Sequence, residues 1–392
     1  MAEKFVYMDN AATTKIYSET LDCFCNVLKN NYGNPSTLYK IGREAKRIVV
    51  SSREKIADIL NCKPNEIYFT SGGTESINWA IKGAAYANQK KGRHIITTKF
   101  EHHATMTTLR SLEKEGFDVT YLDVYENGVV RLEDLENAIR DDTILISIMY
   151  VNNEIGTIQP IKEIAETAKK HKIIFFVDAV QAVGHIIVDL EELGVNMLAF
   201  SGHKFGAPKG VGGLYIKAGT VIKNLIDGGG QERKKRGGTE AVANIAALAS
   251  ALEISVGQLK DGHSVERVRK LRDRLIDTIL TTIPDTVLNG DRDNRIYTNA
   301  NISVKFIEGE SLILLLDMAG IAASTGSACS TDSLDPSHVL LAIGLPHETA
   351  HGSLRFSLSF DTTDEDVDYV LEKLPPIVSK LREMSPLYNP QK

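Results

Sequence analysis

The feature that most constrains the fold is a regular alternation of short apolar runs and amphipathic helical patterns between about residues 65 and 217. The apolar runs that predict strands are 67–71, 93–98, 119–123, 144–149, 173–177 and 197–200. The helical patterns between them are 74–90, 102–115 and 161–171. Strands separated by helices of this length predict an α/β fold, with a mostly parallel sheet covered by helices on both faces.

The regular alternation of strands and helices ends at about residue 257, and the elements predicted after it indicate a second, smaller α+β domain. The elements predicted there are helices at 264–282, 311–318 and 364–383 and strands at 287–288, 301–305 and 352–357. A chain of 392 residues is long enough for two packed domains. We therefore predict a large domain over residues 14–256 and a small domain formed by 1–13 together with 257–392.

Composition and charge limit the classes of partner. The net charge of −6 disfavours a general affinity for nucleic acid or for anionic membranes. The apolar run at 144–151 is far shorter than the roughly 20 residues that a membrane-spanning helix needs. The first residues lack the apolar segment of a secretory signal, and four cysteines in a chain of this size do not form a disulfide framework. We expect a cytoplasmic protein with reduced thiols.

Two polar residues stand just after predicted strands. Asp178 follows an apolar run, and Lys204 follows the next one, 26 residues later. Alone, such an aspartate is more often a turn or cap residue and such a lysine a solvated surface group. Together they indicate pyridoxal-phosphate (PLP) chemistry, because this cofactor needs a lysine to hold it and an acid to keep its pyridine nitrogen protonated. The carboxyl ends of neighbouring strands are where such a ligand binds.

Two glycine-containing segments are candidate phosphate sites. Gly72 and Gly73 precede Thr74 at the start of a predicted helix, where backbone amides bind phosphate, although an ordinary strand–helix turn has the same pattern. The glycine-rich run 206–213 lacks the Gly-Lys-Ser/Thr of a nucleotide-binding loop. We interpret that run as a plain loop and exclude a nucleoside triphosphatase.

Three further residues are candidates for a chemical function, and each also has a purely structural interpretation. His102 begins a predicted helix; it either stacks on a cofactor ring or is a structural histidine, and its neighbour His103 points elsewhere, which disfavours a metal site. Cys329 lies in a run of small and polar residues, 324–336, that is typical of a reactive thiol more than of a buried one. Arg355 interrupts an apolar strand, where it either pairs with an acid or grips a substrate carboxylate.

In this order along the chain, these motifs resemble those of the cysteine desulfurases of the NifS/IscS type. That family belongs to the class-V aminotransferase-like enzymes with the aspartate aminotransferase-like fold type I. The resemblance covers nearly the whole chain. Its motifs are MDNAATT (8–14), GNPS (33–36), SGGTES (71–76), EHH (101–103), VNNEIG (151–156), DAVQ (178–181), SGHK (201–204), RGGTE (236–240), GSAC (326–329) and SLR (353–355).

The resemblance implies a PLP site and assigns its residues. Lys204 would carry the cofactor, Asp178 would bind the pyridine nitrogen, Gln181 would bind the phenolic oxygen, and His102 would stack on the ring. The further cofactor-binding residues that it implies are Gly73, Thr74, Asn153, Ser201, His203 and Thr239. Of these, Thr239 would reach the site from the other subunit of a homodimer.

The resemblance also implies the reaction. Asn153 and Arg355 would bind the carboxylate of L-cysteine, and Cys329 would take the sulfur as a persulfide and leave L-alanine. A transient acceptor, such as an iron–sulfur scaffold protein, would then receive the sulfur. A selenocysteine lyase, or a non-catalytic interaction protein that kept the fold, are the alternatives to this function.

Overall fold

The structure is a computed structural model that describes residues 4–325 and 336–388. In chain order, its strands are β1 (Val6–Tyr7), β2 (Ile67–Thr70), β3 (His94–Thr98), β4 (Asp118–Leu122), β5 (Thr143–Met149), β6 (Ile174–Asp178), β7 (Met197–Ser201), β8 (Gly212–Ile216), β9 (Thr286–Leu288), β10 (Asn299–Val304), β11 (Ile321–Ala322) and β12 (Ser353–Ser357). The helices of the first half are α1 (Ser18–Asn30), α2 (Lys40–Ile59), α3 (Gly73–Asn88), α4 (His103–Lys114), α5 (Leu132–Ala138), α6 (Ile161–Lys170) and α7 (Leu190–Leu193). Those of the second half are α8 (Gln231–Lys234), α9 (Val242–Asp261), α10 (His263–Thr282), α11 (Gly309–Met318), α12 (His338–Ala342), α13 (His347–His351) and α14 (Asp364–Met384).

The central sheet has the strand order β2-β8-β7-β6-β5-β3-β4. Strands β3 to β7 pair in parallel, and β8 runs antiparallel to both of its neighbours. This confirms the expected α/β fold with a mostly parallel sheet. The predicted strands and helices between residues 67 and 200 are all present, with ends that differ from the expected ones by at most two residues.

The parallel strands are apolar on both faces because helices cover both. In β6, Phe175 packs into the core on one side of the sheet and Phe176 into the core on the other. Trp79 of α3 belongs to the second core and Ile164 of α6 to the first. Successive side chains of a strand point to opposite faces, so a doubly covered strand is a continuous apolar run.

Strand β8 was not predicted, and the interpretation of 206–213 as a loop is wrong at its end. Gly212 begins the strand, and a Cβ atom on Gly213 would collide with the ring of Phe200 in β7. Glycine at this place allows a bulky side chain of the neighbouring strand to cross the backbone closely. A run of glycines occurs both in turns and in strands where a neighbouring side chain lies close to the backbone, and the sequence does not distinguish these two structures.

Helix α9 also escaped prediction. In the part of the chain that the structure describes, it is the one helix long and apolar enough by composition to cross a bilayer, but 61% of that stretch is buried inside the fold. It packs against α1 and α2 and contributes to the main core. A helix that is apolar all round has no amphipathic period, so its pattern gives no 3.6-residue signal.

The C-terminal part forms two smaller sheets. Strands β12, β10 and β9 pair antiparallel, and the N-terminal strand β1 pairs in parallel with β11. The first residues of the chain therefore pack against its C-terminal part, ahead of the segments that form the large sheet. The predicted division into 14–256 and 1–13 with 257–392 stays a prediction. Strand β12 places Arg355 opposite Asn301 of β10, at the edge that faces the large sheet's carboxyl ends.

Candidate active site

A cavity of about 330 Å³ opens where β5, β6 and β7 end. It brings together almost every described residue that the sequence singled out. From the large sheet and its following segments these are Gly73, Thr74, His102, Asp178 and Gln181. Asn153, Ser201, His203 and Lys204 come from the same part of the fold, and Arg355 comes from β12.

Two predicted site residues are not placed in the cavity. Thr239 is exposed and does not line it in the single chain. Cys329 belongs to residues 326–335, outside the described residues. Among the described residues, no cluster of three or more histidine, cysteine and acidic side chains is arranged to hold a metal ion.

The amine of Lys204 is held by the backbone of the N-terminal segment. Its Nζ donates hydrogen bonds to the carbonyl oxygens of Ala11, at 2.6 Å, and Ala12, at 2.9 Å. The Nε2 atom of Gln181 donates to the same Ala11 oxygen at 2.9 Å. We call residues 9–14 the N-terminal strap, because Ala11 and Ala12 within them line the cavity at the carboxyl ends of the strands.

The strap contacts two more residues of the cavity. His203 Nδ1 lies 3.2 Å from Thr13 Oγ1, and Arg355 Nη2 donates to Asp9 Oδ1 at 2.8 Å. The sequence of this segment is part of the family resemblance, but its pattern predicts no function for it. The available signal was a run of small and polar residues directly after a short apolar strand, which is typical of a segment that approaches a ligand.

Asp178 ends β6 and is only 4% exposed. Burial raises the pKa of its carboxyl to about 6, against the opposing effects of the Val180 amide and the charge of Lys204. Its Oδ1 accepts the hydrogen bond of Val180 at 3.0 Å, so the acid also has the turn function that was the alternative interpretation. At pH 7 it is mostly ionised and able to pair with a protonated ring nitrogen.

His102 combines a structural function with a place in the cavity. Its Nδ1 accepts the backbone amide of Ala104 at 3.1 Å and so caps α4. A neutral imidazole whose Nδ1 accepts carries its proton on Nε2. Burial, together with the nearby charge of Lys204, lowers the pKa of His102 to about 4, so the ring is neutral at pH 7.

The first turn of α3 provides a place for an anion. Gly72 has a φ of 150°, which favours glycine, and α3 begins at the next residue. A Cβ atom on Gly73 would lie 2.8 Å from Val180 Cγ2, so glycine allows the helix to start close to the segment that follows β6. Gly73 and Thr74 of the first turn line the cavity, and a phosphate binds well at a helix start, where the first amides have no partner within the helix.

Arg355 pairs with an acid, which is one of the two alternatives that its sequence context left open, and it also lines the cavity. It is 2% exposed, it pairs with Asp9, and its Nη1 donates to the carbonyl oxygen of Asn153 at 3.0 Å. Its Nε has no hydrogen-bond partner among the described residues. A guanidinium held on one side by an acid and a carbonyl still presents donors to the cavity, where a carboxylate would bind.

Glu101 is a buried acid that sequence reasoning missed. Its Oε1 accepts from the Thr98 hydroxyl at 2.7 Å and from the Met149 amide at 3.0 Å, while its buried Oε2 has no partner among the described residues. Burial is the main cause that raises its pKa to about 8, and Asp178 raises it further. Glu101 is therefore neutral at pH 7, which leaves Asp178 as the ionised member of the two.

The chain matches the family model for class-V aminotransferases over residues 6–370. It is 55% identical over 388 residues to a cysteine desulfurase IscS of Clostridium botulinum, an alignment that covers 98% of this chain and 97% of the relative.

Two solved structures are also similar. A NifS-like protein has a TM-score of 0.91 at 40% identity, and the match covers 96% of this chain and 100% of that protein. The structure of SspA in complex with cysteine has a TM-score of 0.79 at 35% identity, covering 90% of this chain and 98% of that one.

The buried Glu101 carboxyl predicts a pH-dependent stability. Below pH 4.5 it is protonated whether the chain is folded or not; between 4.5 and about 8, only the unfolded chain releases the proton. The free energy of unfolding therefore falls as the pH rises through this window. In cofactor-free protein, Glu101→Gln lacks this contribution, so its stability relative to wild type grows by on the order of 5 kcal/mol across the window.

Urea denaturation at several pH values measures this difference. The exposed Glu126, changed to glutamine, is the matched control and should follow the wild-type pH profile. Parallel pH profiles for wild type and Glu101→Gln would contradict the assignment of a neutral buried acid.

Proposed function

The chain belongs to the class-V aminotransferase family, among its cysteine desulfurases, and we propose that it moves the sulfur of L-cysteine onto Cys329. The reaction converts L-cysteine and the Cys329 thiol into L-alanine and a Cys329 persulfide. A sulfur–sulfur bond forms as the substrate's carbon–sulfur bond breaks, and the carbon takes a proton. The observation that carries this proposal is the convergence of the Lys204 amine, the buried Asp178 carboxylate and the Arg355 guanidinium on one cavity.

We propose that the cofactor is PLP, which supplies an electron sink when bound. The residues fit this group in three places. Asp178 is ionised at pH 7 beside an amine, the glycine-started helix α3 offers amides to a phosphate, and neutral His102 offers a flat ring. Those three places would hold the pyridine nitrogen, the phosphate and the ring face. Side chains that complete the cradle would be Thr74, Gln181, Ser201 and His203.

The chain's own groups divide the remaining work. Arg355 and Asn153 bind the substrate carboxylate, because the guanidinium is already oriented by Asp9 and by the Asn153 carbonyl. Lys204 takes the α-proton and later returns it, and the carbonyl oxygens of Ala11 and Ala12 hold its Nζ in the cavity. The Cys329 thiolate is the nucleophile toward the substrate's sulfur.

The decisive experiment is an incubation of the purified protein with PLP and L-cysteine. We expect L-alanine, and in step with it the added mass of one sulfur atom on the Cys329 peptide. Cys329→Ala should abolish sulfide release from cysteine, since no thiol then receives the sulfur. Mass spectrometry and amino-acid analysis measure both products.

Cys25→Ala, which removes an exposed thiol elsewhere, is the control and should behave as wild type. Failure to produce either alanine or the persulfide would rule out the proposed reaction. If Cys329→Ala kept full activity on selenocysteine while wild type left cysteine untouched, the protein would instead be a selenocysteine lyase.

The cofactor assignment has its own test. With PLP bound, we expect an absorption band near about 400–430 nm, and borohydride should fix the cofactor to the Lys204 peptide. Lys204→Ala should lose the fixed label because it lacks the attachment amine. Lys209→Ala removes a nearby exposed lysine and should keep it. Label on another peptide in wild type would disprove the assignment.

We propose a homodimer in which Thr239 completes the partner's site. In the single chain Thr239 is exposed, and Glu240 beside it approaches Lys46 of α2 at 3.6 Å. The same region exposes large apolar side chains, which are Leu21, Leu28, Tyr32, Leu38, Tyr39, Ile41 and Val50. Exposed apolar side chains concentrated in one segment of the chain, residues 21–50, support a protein interface.

Subunit mixing tests this arrangement. Lys204→Ala and Thr239→Ala should each impair activity as separate homodimers, because each damages both sites. In the mixed dimer one site combines an intact Lys204 with an intact Thr239 from its partner. Random mixing should therefore restore about a quarter of wild-type activity, since half of the dimers are mixed and each has one good site. No recovery after verified subunit exchange would place Thr239 in its own chain's site.

We further propose that the persulfide sulfur passes to an acceptor protein such as an iron–sulfur scaffold, in the cytoplasm. Cys23, Cys25 and Cys62 are free thiols, which supports a reducing compartment. The net charge of −6 supports a protein partner over nucleic acid or an anionic membrane.

A further inference from the structure

The described residues on the two sides of segment 326–335 are both attached to the cavity wall. On the preceding side, Arg355 and Ser324 exchange backbone hydrogen bonds, with N···O distances of 2.6 and 3.2 Å. The hydroxyl of Ser353 donates to the carbonyl oxygen of Thr325 at 2.6 Å. The last described residues before the segment therefore lie next to the arginine that we assign to the substrate carboxylate.

On the following side, the hydroxyl of Ser337 makes hydrogen bonds in two directions. It donates to Glu154 Oε2, and it accepts from the backbone amide of Val339 at 3.1 Å, which caps α12. Ser337 and Glu154 are both 4% exposed. A buried carboxylate that loses its hydroxyl donor keeps its desolvation penalty, so this contact strongly favours one position of Ser337.

The next residue makes a second attachment. His338 Nε2 donates to the carbonyl oxygen of Glu101 at 2.8 Å, and its ring centre lies 4.8 Å from that of His103. Glu101 directly precedes His102, and Glu154 directly follows Asn153. Two consecutive residues thus tie the end of the segment to the neighbours of two cavity residues that come from different strands.

Glu154 itself is rigidly held. Its amide donates to Asn152 Oδ1 at 2.9 Å, and its carbonyl oxygen accepts from the side chains of Asn299, at 2.9 Å, and Asn301, at 3.0 Å. Because β10 pairs Asn301 with Arg355, this places Glu154 in one framework with the guanidinium. Burial raises the pKa of the Glu154 carboxyl to about 7, and the Ser337 hydroxyl and the charge of Arg355 oppose that shift.

We propose that Glu154 is a positioning residue for sulfur transfer, acting through Ser337 to place the end of the Cys329 segment relative to the bound substrate. The inference rests on the proposed function and deepens it. The described contacts join Arg355 to the Asn153 carbonyl oxygen, and the next residue, Glu154, to Ser337. The thiolate and the substrate's sulfur must approach to about 3–3.5 Å in line, so a displacement of 1 Å is costly.

This arrangement separates two partial reactions. Removal of the α-proton needs Lys204 and the carboxylate-binding residues. None of these residues bonds to the Ser337 hydroxyl, so loss of that hydroxyl leaves them in place. Formation of the sulfur–sulfur bond needs the correct approach of Cys329 as well. Loss of the Ser337–Glu154 contact should therefore slow the second step and spare the first.

The test uses full-length, PLP-loaded Ser337→Ala. Persulfide formation on Cys329 in a single turnover should fall about tenfold, while exchange of the α-proton of L-alanine in D₂O and the KM for L-cysteine change by less than about twofold. Ser337→Thr keeps the hydroxyl and should restore most of the rate. Ser311→Ala is the matched control, because it breaks an exposed serine–glutamate hydrogen bond, to Glu308 at 2.9 Å.

A second variant protects the test if Ser337→Ala folds poorly. Glu154→Leu should likewise slow persulfide formation and leave α-proton exchange nearly unchanged. The double variant should form the persulfide no more slowly than either single variant, since both substitutions remove the same Ser337–Glu154 contact. A proportional fall in exchange and persulfide formation, or no fall in either, would overturn the positioning role. Wild type that performs neither reaction would instead refute the proposed function.

Discussion

The parallel pairing of β5, β6 and β7 is the constraint on which the rest of the structure depends. Their registers set Met149, Asp178 and Ala199 side by side, so that the polar residues following each strand emerge at one edge. Both faces are occupied by helices, which leaves the strand ends as the place where polar groups and a ligand meet. The cavity of about 330 Å³ is the direct consequence of that geometry.

Burial then determines which groups at this edge carry charge. The same loss of solvent raises the pKa of the acids Glu101 and Asp178 and lowers that of His102. Asp178 stays ionised near pH 7 because an amide donor and the Lys204 charge oppose its desolvation, whereas Glu101 becomes neutral. One negative charge beside one amine suits a cofactor whose ring nitrogen must be protonated.

Residues near both ends of the chain complete the cavity that forms at the carboxyl ends of the large sheet's strands. The N-terminal strap supplies carbonyl oxygens to Lys204 and an acid to Arg355, and the C-terminal part supplies Arg355 itself. The residues that bracket segment 326–335 attach to the same wall through Ser324, Ser337 and His338. Arg355 and the described residues on the two sides of that segment thus share one framework, in which contacts join parts of the chain more than 300 residues apart.

The sequence by itself determined the α/β class, the strand series from 67 to 200 and nearly all the residues that line the cavity, because strand periodicity and polar strand ends are local signals. It did not indicate α9, which is apolar all round, or β8, whose glycines have the pattern of a loop. Only the tertiary structure decided that Asp9 orients Arg355, that Glu101 is neutral and that Glu154 holds Ser337. Those facts depend on contacts between distant segments and on burial, and neither is written in the pattern of neighbouring residues.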